Sequence, residues 1–323
     1  MAKQTITQRQ IAEKLGISAA TVSLVLRNPN TTRASAETKS RIFECAPSFQ
    51  ASSFRENGRE KVTNTVLFIM RDIRNDSPQY SFQQNKLHGS QQYAAERGLR
   101  LEVITAEQGW WSGKNFDHIK GMILESPMLL DQDFRAEQHK YKMITLDCWY
   151  HEPSVGIGIC SDVFLGTRRA IQYLREMGHI HIGYLGFRET EEYPDPRYAE
   201  RAAIFTDVCR YLQVELAHDS VQLLPSSFWL GQNGHQLISE ILDTWKSSQN
   251  RPTAFICYND LVAARLMIVA LEKGIQIPDD LSLIGYDNES LCQMFSPQLT
   301  SICPNYHEMG RIAISAIMNG DIW

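Results

Sequence analysis

The 323-residue sequence contains no apolar run approaching the roughly 20 residues of a membrane span. It opens Met1-Ala2-Lys3-Gln4 into polar sequence, not into the apolar core of a signal peptide. Its seven cysteines (Cys45, Cys148, Cys160, Cys209, Cys257, Cys292 and Cys303) are odd in number and scattered. That pattern fits reduced thiols in the cytoplasm better than a disulfide framework. No Gly-x-Gly-x-x-Gly follows a strand pattern and there is no Walker loop, so a dinucleotide enzyme or P-loop kinase lacks its phosphate cradle. Cys148-Trp149-Tyr150-His151 has the spacing of half a metal site, but no second Cys/His pair complements it. His179 and His181, flanking a strand start beside Gly178, are expected to cap and pack. No cofactor, metal, membrane contact or catalysis is expected.

What is present is the composition of a soluble globular protein, 43% apolar and 21% charged, with length enough for two or three domains. The net charge of -5 is unevenly divided. Residues 1–61 hold ten Lys/Arg against five Asp/Glu and are therefore +5, leaving -10 for the remainder. A small basic head on an acidic body points to a polyanionic partner for the head alone, although charge by itself fits an ordinary solvated surface as well.

The head gives a sharper signal. Ile11, Ala12 and Leu15 share one helical face, and Val22, Val25 and Leu26 share a second. Gly16 permits a tight turn between the two, and Ser18 is a natural cap for the second helix. Two short helices joined by such a turn form the motif that lays its second helix in the major groove. A third helix is expected from Thr38 through Arg41, with Ile42 and Phe43 buried, ending near Cys45-Ala46-Pro47 because the residue before Pro is pushed out of the α region. The polar stretch 48–61 follows.

From residue 62 strand patterns alternate with helical ones. The expected strands are Val66–Met70, Leu99–Thr105, Gly121–Leu124, Met143–Asp147, Ile180–Leu185, Val221–Leu224, Ala254–Cys257 and Leu281–Tyr286. The expected helices are Gln83–Arg97, Phe164–Met177, Ala199–Leu212, Gly234–Trp245, Leu261–Lys273 and Tyr306–Met318. Such alternation predicts parallel sheets covered on both faces, and eight units exceed what one doubly wound sheet usually holds. Two α/β lobes are expected, with binding between them at the carboxyl ends of the strands. There Asp147, Arg201, Asn259 and Asp287 supply the donors and acceptors that a polyhydroxylated ligand needs, and Phe82, Trp149 or Tyr80 offers a stacking face. Capping is the competing role, with Asp162 ahead of the helix at Phe164 and Asp260 ahead of the helix at Leu261.

Ile11-Ala12-x-x-Leu15-Gly16-Ile17-Ser18-x-x-Thr21-Val22-Ser23-x-Val25-Leu26 resembles the head of the lactose-repressor (LacI/GalR) family of bacterial regulators. The body continues the resemblance in order: Asp162-x-x-x-Gly166, Tyr173-Leu174-x-x-x-Gly178-His179-x-x-Ile182-Gly183-Tyr184, Glu200-Arg201-x-x-x-Phe205, Pro252-Thr253-Ala254 with Asn259-Asp260, Ile277-Pro278-Asp279-Asp280-Leu281-Ser282-Leu283-Ile284-Gly285-Tyr286-Asp287, and Ser296-Pro297-x-Leu299-Thr300. The resemblance implies a two-lobed, periplasmic-binding-protein-like core behind an all-α helix-turn-helix head. It implies a repressor that binds a pseudo-palindromic DNA operator as a homodimer and answers to a small-molecule effector, a sugar or related metabolite. Ala19 and Ala20 fall where the family reads base edges, with Ser18, Thr21 and Ser23 near phosphates. Thr7, Leu24 and Arg27 complete the implied DNA surface.

Departures from the family pattern are also legible. Leu24 replaces a residue that is often polar, and the alanines cannot make bidentate base contacts, so readout leans on thymine methyls and DNA shape. The Pro-Asn-x-x-Ala-Arg-x-Leu hinge is not intact; Phe54 as a minor-groove wedge with Arg55 on a phosphate competes with a plain linker. Val163, Ile204 and Asn288 stand where the family usually has Asn, Gly and Asp, the Gly109–His118 connection with Trp110-Trp111 is short, and the pattern stops before the family's usual final strand. The expected division is a head at 1–47, a hinge at 48–61 and a core at 62–323, with one lobe at about 62–160 and 291–323 and the other at about 161–290. The reading left standing beside the repressor is an α/β binding protein or enzyme whose N-terminal helices make protein contacts only.

Overall fold

The computed structural model describes residues 8–27, 34–35, 38–39, 41–42, 64–71, 80–106, 111, 116, 118–126, 141–147, 157–191, 197–216, 220–226 and 233–319, with the backbone alone for 8–10, 26–27, 71 and 80. It divides into an N-terminal unit and a body.

In the N-terminal unit, α1 (Gln8–Leu15) and α2 (Ala19–Arg27) are joined by a turn at Gly16, whose φ of +67° is the left-handed conformation that L side chains resist. Ser18 caps α2, its hydroxyl accepting the Thr21 amide at 3.0 Å. Ser35 does the same for Thr38 at 3.2 Å, ahead of helical residues at 38–39 and 41–42. Ile11, Ala12, Val22, Val25 and Ile42 close one small core, as the two apolar faces predict. Phe43 and the Leu26 side chain lie outside the described residues.

Among the described residues the body carries two five-stranded sheets, all of whose strand pairings are parallel. The first has the order β2-β1-β3-β4-β5 (Arg100–Ala106, Thr65–Arg71, Gly121–Leu124, Met143–Leu146, Ile157–Ile159). The second has the order β10-β9-β8-β6-β7 (Thr300–Ile302, Ser282–Tyr286, Ala254–Cys257, Ile182–Arg188, Val221–Pro225). Between the strands run α3 (Tyr80–Glu96), α4 (Val163–Glu176), α5 (Arg197–Tyr211), α6 (Gly234–Ser247) and α7 (Asp260–Glu272), followed by a 3-10 helix (Ser290–Met294) and finally α8 (Tyr306–Asn319). β3, β4 and β8 are buried at every position, as helices on both faces require. A fully buried side chain such as Ile123 or Phe187 contributes about 1.5–3 kcal/mol.

All eight expected strands are present, with ends displaced by up to three residues. β5 and β10 were not expected; at three residues each they are too short to show periodicity, and each pairs with one neighbour. β10 also changes the path of the chain. Residues 291–323 were expected in the first lobe, yet Thr300–Ile302 hydrogen-bonds to β9 in the second sheet, so the chain returns to the first lobe only after Ile302. The 3-10 helix likewise contributes Leu291 and Cys292 to the second lobe's core.

α8 then packs against α3 at very close range. A Cβ on Gly310 would lie 2.1 Å from the Lys86 carbonyl oxygen, so only glycine permits the approach. Ser90 binds the two helices together, its hydroxyl reaching the carbonyls of Lys86 at 3.0 Å and Gly310 at 3.3 Å. That packing sets Tyr306, the first residue of α8, beside Phe82 and Lys86 of α3.

Candidate functional site

On the head, Ala19 and Ala20 are exposed at the start of α2, and Thr21, Ser23 and Leu24 are half-buried. The Ser18 hydroxyl is engaged with the Thr21 amide and hydroxyl, the latter at 2.8 Å. Thr7, Phe54, Arg55 and the side chain of Arg27 lie outside the described residues.

In the body, the carboxyl ends of the strands converge as expected. Asp147 is the first residue past β4 and Asp287 the first past β9; both have positive φ, +54° and +103°. Non-glycine residues are held in that region only when their surroundings over-determine them, and such residues cluster at functional sites. Asp147 adds to the negative field around Asp287.

On the first lobe, Asp147 is bound by Lys86, a cation the sequence did not single out. Its side chain is 0% exposed and its ammonium pairs with Asp147 and, at 3.3 Å, with Glu125 just past β3. The Phe82 and Tyr306 rings lie 4.7 and 5.4 Å from the nitrogen. Burial works against the charged lysine, but the two carboxylates outweigh it and raise its pKa above the ordinary value.

On the second lobe, Arg201 of α5 is flanked by Tyr258 and Tyr286, at 4.5 and 4.3 Å from the ring centroids. Its Nη1 donates to the Tyr258 carbonyl at 2.8 Å, and its Nε is buried without a partner. Burial pushes the Asp287 carboxyl up to about 7, with Asp260 and Asp147 adding to the rise and Arg201 and the Tyr306 hydroxyl opposing it. Tyr306, from the first lobe, donates to Asp287 across the cleft.

One expectation is narrowed and another corrected. Asn259, expected to contact ligand, is the N-cap of α7, its side-chain oxygen accepting the Val262 amide at 3.1 Å. Asp260, expected to be that cap, is instead fully buried and accepts the Glu289 amide at 2.7 Å and the Ser301 hydroxyl at 2.6 Å. Asp162 does cap α4, through the Leu165 amide at 2.8 Å. His179 packs as expected, its Nδ1 2.8 Å from the Thr253 hydroxyl. Trp149 and the Tyr80 side chain lie outside the described residues, whereas Phe82 faces Tyr306 at 5.5 Å between ring centroids.

A cavity of about 570 Å³ lies elsewhere, between α4 and α8 beside the two crossovers, Cys160-Ser161-Asp162 and Cys303-Pro304-Asn305. None of Phe82, Asp147, Arg201, Asn259 or Asp287 lines it. Where those residues converge, side chains of the two lobes already meet.

Residues 171–320 match the periplasmic binding protein-like domain. The chain is 26% identical over 325 residues to the HTH-type transcriptional repressor CytR of Escherichia coli (strain K12), a match spanning 97% of this chain and 89% of that protein. The structure of a regulatory protein of LacI family from Chloroflexus aggregans aligns at TM-score 0.62 and 21% identity, covering 80% of this chain and 91% of that one. A LacI family transcriptional regulator from Enterococcus faecium with bound ribose aligns at TM-score 0.58 and 25% identity, covering 79% and 89%. The chain is thus similar, over nearly its whole length, to repressors and regulators of the LacI type.

The residues the sequence did not single out share a reason. Lys86, Glu125, Ser81, Glu289 and Tyr306 sit in no motif and acquire meaning only through partners far away in the chain. Glu125 did carry one signal, a carboxylate immediately following the strand Gly121–Leu124.

Proposed function

We propose that this chain is a regulator of the LacI/GalR type that binds a pseudo-palindromic DNA operator through α2 of two copies of the chain, and represses or releases transcription according to an effector held between its lobes. The effector is read as a sugar or related metabolite, the class of ligand named for the Enterococcus faecium structure. The observation that carries this reading is the convergence of Asp147, Arg201 and Asp287, from both lobes, at the carboxyl ends of parallel strands. Arg201 Nε is an unspent buried donor there, suited to a ligand oxygen. Phe82 is placed to meet a sugar face. Asn259, with its oxygen spent on α7, keeps only its amide nitrogen for a ligand.

On the head, Ala19 and Ala20 present small apolar faces to the major groove, with Ser18, Thr21, Ser23 and Leu24 around them and Thr7, Arg27, Phe54 and Arg55 contributing at its margins. A single recognition helix reads only a few base pairs, which is why a homodimer is proposed. We read the protein as a cytoplasmic binding protein rather than an enzyme. The division into a head at 1–47, a hinge at 48–61 and a core beyond is part of the same proposal.

The experiment is selection of bound duplexes from a random pool by the full-length protein, followed by titration in salt. The expected result is enrichment of a two-fold symmetric sequence, with affinity falling steeply as salt rises because Lys and Arg of the head displace counterions from phosphates. Failure to enrich any sequence would leave a small-molecule-binding protein whose N-terminal helices serve other contacts.

A further inference from the structure

We propose that Glu289 is a clasp between the two lobes: a carboxylate anchored in the second lobe that caps a helix of the first, and so favours the closed cleft and positions Phe82 and Lys86 over it.

Glu289 stands immediately before the 3-10 helix Ser290–Met294, where a side chain ordinarily caps its own helix, yet it makes no such bond. Its carboxylate crosses the cleft instead. Oε2 accepts the Ser81 hydroxyl at 2.7 Å, and the backbone amides of Ser81 and Phe82 favour the charged form of the carboxylate. These residues form the first turn of α3, which has no acidic residue of its own to satisfy its free amides. This anion comes to the helix end from 208 residues away in the chain. On its own side Glu289 is held firmly. It is buried, and its amide donates to Asp260, which also binds Ser301 of β10.

The consequence follows from what opening would leave behind. Separating the lobes breaks the Ser81–Glu289 hydrogen bond, takes the carboxylate away from the amides of Ser81 and Phe82, and breaks the neighbouring Tyr306–Asp287 contact. Closure therefore completes α3, the helix that carries Phe82 and Lys86. The second oxygen, Oε1, is buried without a partner, so a donor group entering the cleft would meet the clasp directly. The clasp itself rests on the two-lobed geometry alone; its bearing on repression rests on the function proposed above.

Hydrogen–deuterium exchange and small-angle scattering on the full-length protein, without DNA or effector, test the clasp separately from that function. In Glu289→Ala the segment 80–87 should exchange about fivefold faster, the loss expected for one helix cap. The radius of gyration should rise as the cleft opens. Glu289→Gln keeps an acceptor but not the charge and should fall between; Ser81→Ala loses one bond and should show a smaller rise in exchange. If Glu289→Ala does not fold, the latter two carry the test. Unchanged exchange at 80–87, faster exchange confined to 290–294, or faster exchange at 80–87 with an unchanged radius would each overturn the clasp.

Discussion

Asp147 and Asp287 occupy equivalent places in the two lobes. Each is the first residue past its strand, each has positive φ, and each donates its amide to the last residue of the adjacent edge strand, Ile159 at 2.8 Å and Ile302 at 2.9 Å. Each also faces a buried cation set between two aromatic rings: Lys86 with Phe82 and Tyr306, and Arg201 with Tyr258 and Tyr286. The crossovers to the opposite lobe begin at the next residues, Cys160 and Cys303. Any shift of one lobe against the other is therefore felt at both carboxylates, which suits a site that must couple ligand to conformation.

Lys86 gives the first prediction. Replacing it with Met leaves Glu125 and Asp147 without their shared cation in a buried setting. The cost should be about 2–4 kcal/mol, below the full value for a buried pair because Asp147 is partly solvated. Urea unfolding of the full-length variant measures it; a change under about 0.5 kcal/mol would be the behaviour of a surface lysine.

Arg201 gives the second. Lysine at this position keeps a charge but not the fork or the planar group between two rings. Arg201→Lys should fold, while Arg201→Ala should lose effector affinity by about 2–5 kcal/mol, very roughly 30- to several-thousand-fold. Calorimetry with the effector decides, and unchanged affinity in both variants would remove Arg201 from the site.

The third prediction concerns pH. Asp287 has its folded pKa raised from 3.8 to about 7, so the folded state holds a proton the unfolded state has already released. Its contribution to stability is complete below the unfolded value and is lost as pH rises through about 7. The groups acting on it are Arg201, Tyr306, Asp260 and Asp147. Between pH 5 and 8 the wild type should lose about 1–3 kcal/mol relative to Asp287→Asn, which cannot titrate. Parallel pH profiles of the two urea midpoints would contradict this.

The fourth separates two neighbours. Asn259→Ala removes a helix cap and should cost about 1 kcal/mol. Asp260→Ala strands the Glu289 amide and the Ser301 hydroxyl in a buried setting, and should cost more, about 2–4 kcal/mol. Thermal unfolding of both variants gives the order; the reverse order would show that the cap, rather than the buried carboxylate, organises this corner of the lobe.

Sequence alone determined what short-range chemistry controls. The turn at Gly16, the caps at Ser18 and Asp162, the two faces of the head helices and the eight strand–helix alternations depend on neighbours within a few residues, and period and capping rules read them directly. The strand ends Asp147 and Asp287 were legible for the same reason, since a parallel sheet gathers its carboxyl ends at one edge. Tertiary structure alone decided how those ends are used. Asn259 and Asp260 are adjacent and both could cap; an extended backbone at Asn259, with φ of -155°, turns its side chain onto α7 and leaves Asp260 to the interior. Lys86 resembles any solvated helix lysine until β3 and β4 bring Glu125 and Asp147 to it from 39 and 61 residues away. Glu289 acquires a partner only once the lobes meet. Electrostatic pairing acts through space, and local sequence carries no record of which distant charge the fold will place beside it.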